Sequence, residues 1–501
     1  MNPKRINDVL YWGACALLAG VVVYCMMTPV LSILRSVPLD PNEGWNAYFG
    51  DAAIDGGVLY PSADALITNN YPPLSFYVVG ALGRLFGDNI FAGRFVALFS
   101  LLFVTWSIYY WLRMSGSAAR VGILAALTFL AFGVSYGRDY VAMNDPQWLA
   151  HALMMSGLLV LWKDKEDTRH IIMSAILMTA AGCTKHLLIP LPISVSLWLL
   201  WHSRAAFFKW IVSAALALEL AASLVWWLHG VRAFASLNEP RQWMRWKAIA
   251  TSTAALECFA PLLVIWIAAI AKGRMNARLG FVSVYVLISG AVSVLAEGGA
   301  GVDVNAFFDL LIALCMAAGI AMDSLSGSRI VSAPASAAAL LAASLLFYTY
   351  TRVPSELQQI RQIDSTESAA LGDIAAIEAL GAGRAACQML DLCYWAKSAF
   401  EMDFFYFGQK LKTGAAPETA CEDVFEHRDF ALVQLENNPK ARAKLPSRRA
   451  PPMSHWPSAC RIAGRHGTSL PSSPRLPGLV GRNFLDMPVW RGRPLLPIAD
   501  C

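Results

Sequence analysis

About eleven long apolar runs follow one another along this chain, and the segments between them are mostly short and basic. A run of roughly 18 or more apolar residues crosses a bilayer as a helix, because in lipid every backbone N–H and C=O must find its partner inside the segment. The runs lie at 9–34, 90–112, 119–137, 142–162, 170–184, 187–202, 206–229, 252–271, 279–296, 303–322 and 331–350. Charged residues make up only 15% of the 501 positions, against roughly 25% in soluble chains. Mean hydropathy is +0.48. The expected fold class is an all-α polytopic membrane protein with about 11 transmembrane helices, a long extracytoplasmic first loop and a small C-terminal extracytoplasmic domain, α or α+β.

Loop charge orients the chain. With the N-terminus in the cytoplasm, the inside connections carry Lys4/Arg5, Arg113/Arg120, Lys163/Lys165/Arg169, Arg204/Lys209, Lys272/Arg274/Arg278 and Arg329, as the positive-inside rule requires. The segment 72–87 begins with Pro72-Pro73 and is short. Counting it as a span would reverse every later loop, so it reads as an interfacial helix. The first run follows Lys4 and Arg5 as a signal peptide would, but it is longer and lacks a small-residue cleavage site, so it reads as an uncleaved span. Residues 1–350 then form the membrane domain, with an outside loop at 35–89, and residues 351–440 a small outside domain. From 441 to 501 the chain turns rich in Pro, Arg and Ser and cannot build a core, which reads as a disordered tail. A shifted reading frame would look the same. The localisation implied is an integral protein of a bacterial inner (plasma) membrane, with its long loops on the periplasmic side.

The formal net charge of +5 gives no reason to invoke nucleic acid. Five of ten cysteines lie inside apolar runs, so the chain is no disulfide scaffold. Cys387 and Cys393, six apart in the outside domain, can pair in an oxidising compartment.

Chemistry-bearing residues collect in the outside segments. The first loop opens with Asp40-Pro-Asn-Glu43. On one helical turn both carboxylates share a face, where they can serve as general base or hold a divalent cation such as Mg or Mn. Equally, Asp40 can be a helix N-cap. A second cluster, Arg138-Asp139…Asn144-Asp145-Pro146, offers a guanidinium for phosphate and further carboxylates, although Asp145-Pro146 is also a helix start. Lys185-His186 interrupts an apolar stretch: Lys185 can neutralise a lipid phosphate or simply snorkel. The loop 230–251 carries Arg232, Arg241, Arg245 and Lys247 on the outer side, against the charge rule, which anchoring or binding of a phosphate or sugar would explain. The glycine-rich segment from Glu297 to Asn305 lacks the ending of a P-loop.

Taken in order, these stretches resemble the GT-C superfamily, within the group of protein O-mannosyltransferases and lipid A aminoarabinose transferases. The resemblance rests on the first span, the acidic opening of the first loop, Asn69-Asn70-Tyr71-Pro72-Pro73, Phe86-Gly-Asp-Asn-Ile-Phe-Ala-Gly-Arg94-Phe, Asp145-Pro146 and Thr184-Lys185. It implies an inverting glycosyltransferase. The donor is a polyprenyl-phosphate sugar, the acceptor a hydroxyl of a lipid, glycan or protein, and the base Asp40 or Glu43. The group's Lys before Pro-Pro is replaced by Asn70-Tyr71, so the donor phosphate falls to Arg138, Lys185 or the Arg241–Lys247 cluster, with Asp139, Asp145, His186, Arg241 and Arg245 around it. A multi-span transporter or flippase for an amphiphilic solute is the rival class. It should place its charges at mid-membrane rather than at one boundary.

Overall fold

The computed structural model describes residues 3–435 apart from 274, 326–332, 354, 382–383, 418, 421–423 and 425–429. The tail expected at 441–501 and the basic residues Arg274 and Arg329 lie outside the described residues.

The membrane domain is helical throughout. Its elements are α1 (Pro3–Leu31), α2 (Pro41–Ile54), α3 (Leu74–Phe86), α4 (Asn89–Met114), α5 (Ala119–Tyr136), α6 (Gln147–Lys163), α7 (Thr168–Gly182), α8 (Pro190–His202), α9 (Arg204–His229), α10 (Arg232–Ser236), α11 (Arg245–Ala271), α12 (Ala277–Glu297), α13 (Phe308–Leu325) and α14 (Ala333–Arg352). Many starts follow from a polar cap. Asp40, Asp88, Asp167, Ser203 and Asn276 each accept a backbone N–H of the first turn that follows them, which satisfies donors a helix start leaves open.

Eight of these helices are long and apolar enough to cross a bilayer: α1, α4, α5, α9, α11, α12, α13 with the turn before it, and α14. The remaining three expected spans are helices of 17, 15 and 13 residues. At 1.5 Å per residue, 13 residues reach only about 20 Å, less than the roughly 30 Å apolar core. The shortening has a local cause. The chain makes a short 3-10 turn at Arg138–Tyr140 and a loop up to Pro146 before α6, and the Lys185-His186 break with Pro190 delays α8. The Pro-Pro segment forms α3, an apolar helix of 13 residues that is likewise too short to span alone.

Helix α13 is the central post. It packs against α5, α11 and α12, and 89% of its apolar window is buried. Small residues let neighbours approach: a Cβ on Gly319 would stand 2.7 Å from the Leu112 side chain of α4. In contrast α9 lies at the rim, touching chiefly α7 and α8, and presents Leu216, Leu220, Leu224 and Trp227 outward.

Beyond α14 come α15 (Glu356–Gly381), β1 (Ala385–Cys387), α16 (Leu390–Trp395), α17 (Phe404–Lys412) and β2 (Leu432–Gln434). The two strands pair in parallel, and a Cys387–Cys393 disulfide ties β1 to α16. This part docks on α2. The Gly44 N–H donates to Asp391 Oδ1 at 2.6 Å, and a Cβ on Gly44 would collide with the Leu390 backbone at 2.3 Å. Only glycine permits that approach.

Candidate active site

One end of the helical bundle gathers the first loop, the 137–146 link, the 183–189 break, the 237–244 segment and the 297–305 loop. Its frame is a buried ion pair. Arg94 on α4 directs Nε and one Nη at the two oxygens of Glu43, at 2.8 and 2.5 Å. Its other three donors go to the carbonyls of Ser32, Arg35 and Val37 at 2.7–2.9 Å. All five guanidinium N–H groups are thus used. Neither side chain has any exposure. Glu43 Oε1 also accepts the Asn144 N–H at 2.9 Å, and Asn144 donates back to the Glu43 carbonyl. Asn144 fits because residue 93 is glycine: a Cβ there would lie 1.8 Å from Asn144 Oδ1. Glu43 therefore joins α2, α4 and the 137–146 link, and is fully committed.

Asp40, one turn earlier, differs. Its Oδ1 accepts the Asn42 N–H at 2.9 Å, the side chain keeps some exposure, and its second oxygen is open. Burial, opposed by that N–H and reinforced by the charges of Asp303, Glu43 and Asp139, pushes its carboxyl up to about 7. Asp40 and Glu43 do not fit a divalent ion, since both Glu43 oxygens are taken by Arg94. Among the described residues no three His, Cys, Asp or Glu side chains gather as a metal would need.

The 183–189 break supplies the cation. Lys185, 6% exposed, places Nζ 3.2 Å from Asp145 Oδ1 and 3.4 Å from the Tyr71 hydroxyl, over whose ring it sits at 4.7 Å. Asp145 also accepts the Gln147 N–H at the start of α6. Lys185, Tyr71, Asn70, His186 and Arg241 line a cavity of about 380 Å³. Burial first, then the charges of Lys185 and Arg241, lower the His186 imidazole to about 4, so it is neutral at pH 7. Its Nδ1 is buried without a hydrogen-bond partner. Arg241 donates to the Tyr406 hydroxyl and lies 4.9 Å over that ring.

Three residues named from sequence do not line this cavity. Arg138 pairs with the buried Glu356 at 2.5 Å and donates to Gln359, so it clamps α15 rather than facing the cavity. Asp139 is exposed beside it, and Arg245 is exposed on the first turn of α11. The unusual outer basic charge is mostly internal cement. Lys247 donates to the carbonyls of Glu297, Gly299 and Val302 at 2.8, 3.0 and 2.5 Å, capping the end of α12. Arg232 pairs with Glu239 at 2.8 Å. Sequence reasoning missed the Arg94–Glu43 frame and Asp391, a fully buried carboxylate whose Oδ2 has no partner. Burial and the nearby Glu43 charge, opposed by Arg94, hold its carboxyl well above the usual range.

Two crystal structures of ArnT from Cupriavidus metallidurans, one apo and one bound to undecaprenyl phosphate, share this architecture with TM-scores of 0.54 and 0.53. They cover 83% and 81% of this chain and 92% and 91% of their own, at 14% identity. The likeness establishes that this chain shares their fold. No curated protein matches the sequence. A family model described as "6-pyruvoyl-tetrahydropterin synthase related domain; membrane protein" matches residues 68–326. That match spans more than half of the chain, from Pro-Pro segment to central post, and the protein belongs to this family of 6-pyruvoyl-tetrahydropterin synthase related membrane proteins.

Proposed function

We propose that the protein is an inverting membrane glycosyltransferase that takes a sugar from a polyprenyl-phosphate donor and gives it to a hydroxyl of a lipid, glycan or protein. The observation that carries the reading is a polar cavity lined by a buried lysine, Lys185, at the end of the bundle where the first loop also holds a perturbed, partly open carboxylate, Asp40. The ArnT structure bound to undecaprenyl phosphate supports a lipid phosphate as the ligand of such a fold.

The division of labour follows from charge. Lys185, held by Asp145 and Tyr71, meets the donor phosphate, with Arg241 at the cavity's other wall. The acceptor hydroxyl approaches Asp40, which removes its proton through the open carboxylate oxygen. The acceptor oxygen attacks the anomeric carbon from the face opposite the phosphate. The C–O bond to phosphate breaks, its electron pair leaves on the polyprenyl phosphate, and the configuration inverts. A phosphate leaves without protonation by a strong acid, so one base and one cation suffice. The Cys387–Cys393 bridge, on the part that docks on α2, supports an oxidising, extracytoplasmic compartment for this end.

The test is transfer of label from a panel of polyprenyl-phosphate sugars by purified protein in detergent. Transfer to an acceptor, or release of free sugar, that Asp40→Asn abolishes supports the reading. Absence of turnover with every donor, alongside movement of a labelled amphiphile by reconstituted vesicles, would replace it with the transporter.

A further inference from the structure

The cavity carries a second polar cluster beside its cations. Gln147 on α6 accepts a hydrogen bond from Asn305 at 3.2 Å and meets His151 Nε2 at 2.9 Å. The Gln147 amide nitrogen can only donate, so Nε2 is the acceptor and the His151 proton sits on Nδ1. That Nδ1 is buried and has no partner. Asp309, at the start of the central post, lines the same cavity. One of its oxygens receives the Tyr285 hydroxyl, and among the described residues no cation pairs with it. Such groups inside a helical membrane bundle are costly, and an ionisable one marks a site by default. An apolar lipid tail leaves them unsatisfied. A second phosphate, or a sugar carboxylate, would set a further acidic group against the Asp309 carboxyl, which no cation among the described residues offsets.

We infer that Gln147, His151, Asn305 and Asp309 form the glycosyl subsite, taking a sugar that carries several hydroxyls and no carboxylate, with Asp309 accepting from a hydroxyl and the His151 Nδ1–H donating to one. The inference rests on the polyprenyl-phosphate reading above and names the sugar class for it. A cavity of about 380 Å³ lies near the small end of ligand pockets, roughly 300–1,000 Å³, which suits one sugar ring with its phosphate.

The experiment is equilibrium binding to the full chain in nanodiscs. Three probes are compared: bare undecaprenyl phosphate, its hexose conjugate and its hexuronate conjugate. The wild type should hold the hexose conjugate about tenfold or more tighter than the bare lipid, the worth of one or two buried hydrogen bonds. Asp309→Asn and Gln147→Ala should each erase that difference while leaving the bare lipid unchanged. Gln147 does not touch Tyr285, so damage to the Asp309–Tyr285 contact cannot account for both. The hexuronate should bind more weakly than the hexose in the wild type, and Asp309→Asn should narrow the gap. Equal binding of hexose conjugate and bare lipid by the wild type, or equal losses for both in the variants, overturns the subsite alone. Failure of every polyprenyl phosphate to bind the wild type overturns the donor reading as well.

Discussion

Glu43 and Arg94 face each other fork to fork with no solvent on either side, and the same guanidinium clasps three carbonyls at the end of the first span. The pair sets the angle at which the first loop leaves α1 and meets the 137–146 link. Removing one partner leaves the other charged and buried. Arg94→Ala or Glu43→Gln should therefore destabilise the folded protein by about 3–5 kcal/mol. The measurement is denaturant or thermal unfolding in one detergent. An unfolding curve that matches the wild type would show that the pair holds nothing in place.

Asp40→Asn separates chemistry from structure at the same loop. Asparagine caps a helix about as well as aspartate, so the unfolding curve should stay where it is while transfer falls by about 10²–10⁴, the usual share of a general base. The pH profile gives an independent reading. Because the Asp40 carboxyl is raised to about 7, the base form is lost as pH falls through that value. Donor-dependent kcat/KM should climb from pH 6 to a plateau above about 8. A flat profile, or a dead Glu43→Gln that folds normally beside an active Asp40→Asn, moves the role to Glu43.

Much of this arrangement is legible in the order of residues, because the physics involved is local. Apolar runs and basic loops mark the helices, and Asp40 and Asp88 mark their starts. The short helices at 147–202 are less legible: hydropathy does not register that Lys185 is held in the protein by Asp145 rather than ending a span. Arg138 shows the opposite failure. Its position at a boundary suggested phosphate binding, yet its partner is Glu356, more than two hundred residues away. Arg94 appeared only as part of a resembling stretch, since nothing along the chain announces that it pairs with Glu43 across 51 positions. Tertiary pairing is what spacing cannot carry.

Lys185→Met keeps the stem and removes the charge. The phosphate should lose a charge-assisted contact, weakening donor KM by about 10–100-fold, with a smaller fall in kcat if the contact is equally strong before and during transfer. Asp145 then loses its cation, so Lys185→Met with Asp145→Asn should restore stability without restoring the donor affinity. Recovery of affinity in the double variant would place Lys185 as a mere counter-ion to Asp145.

The Cys387–Cys393 bridge closes a small loop beside Asp391, which receives the Gly44 N–H of α2. Opening it should cost about 2 kcal/mol of local stability by loop entropy. The Asp391 contact should then loosen, lowering transfer before the membrane helices unfold. Membrane-impermeant maleimide on intact cells, with and without reductant, reads both the bond and its side of the membrane. Labelling of these two cysteines only after reduction places the site end in an oxidising, outward compartment. Labelling that instead needs the membrane to be opened, with no reductant, places that end in the cytoplasm and reverses the topology drawn from loop charge.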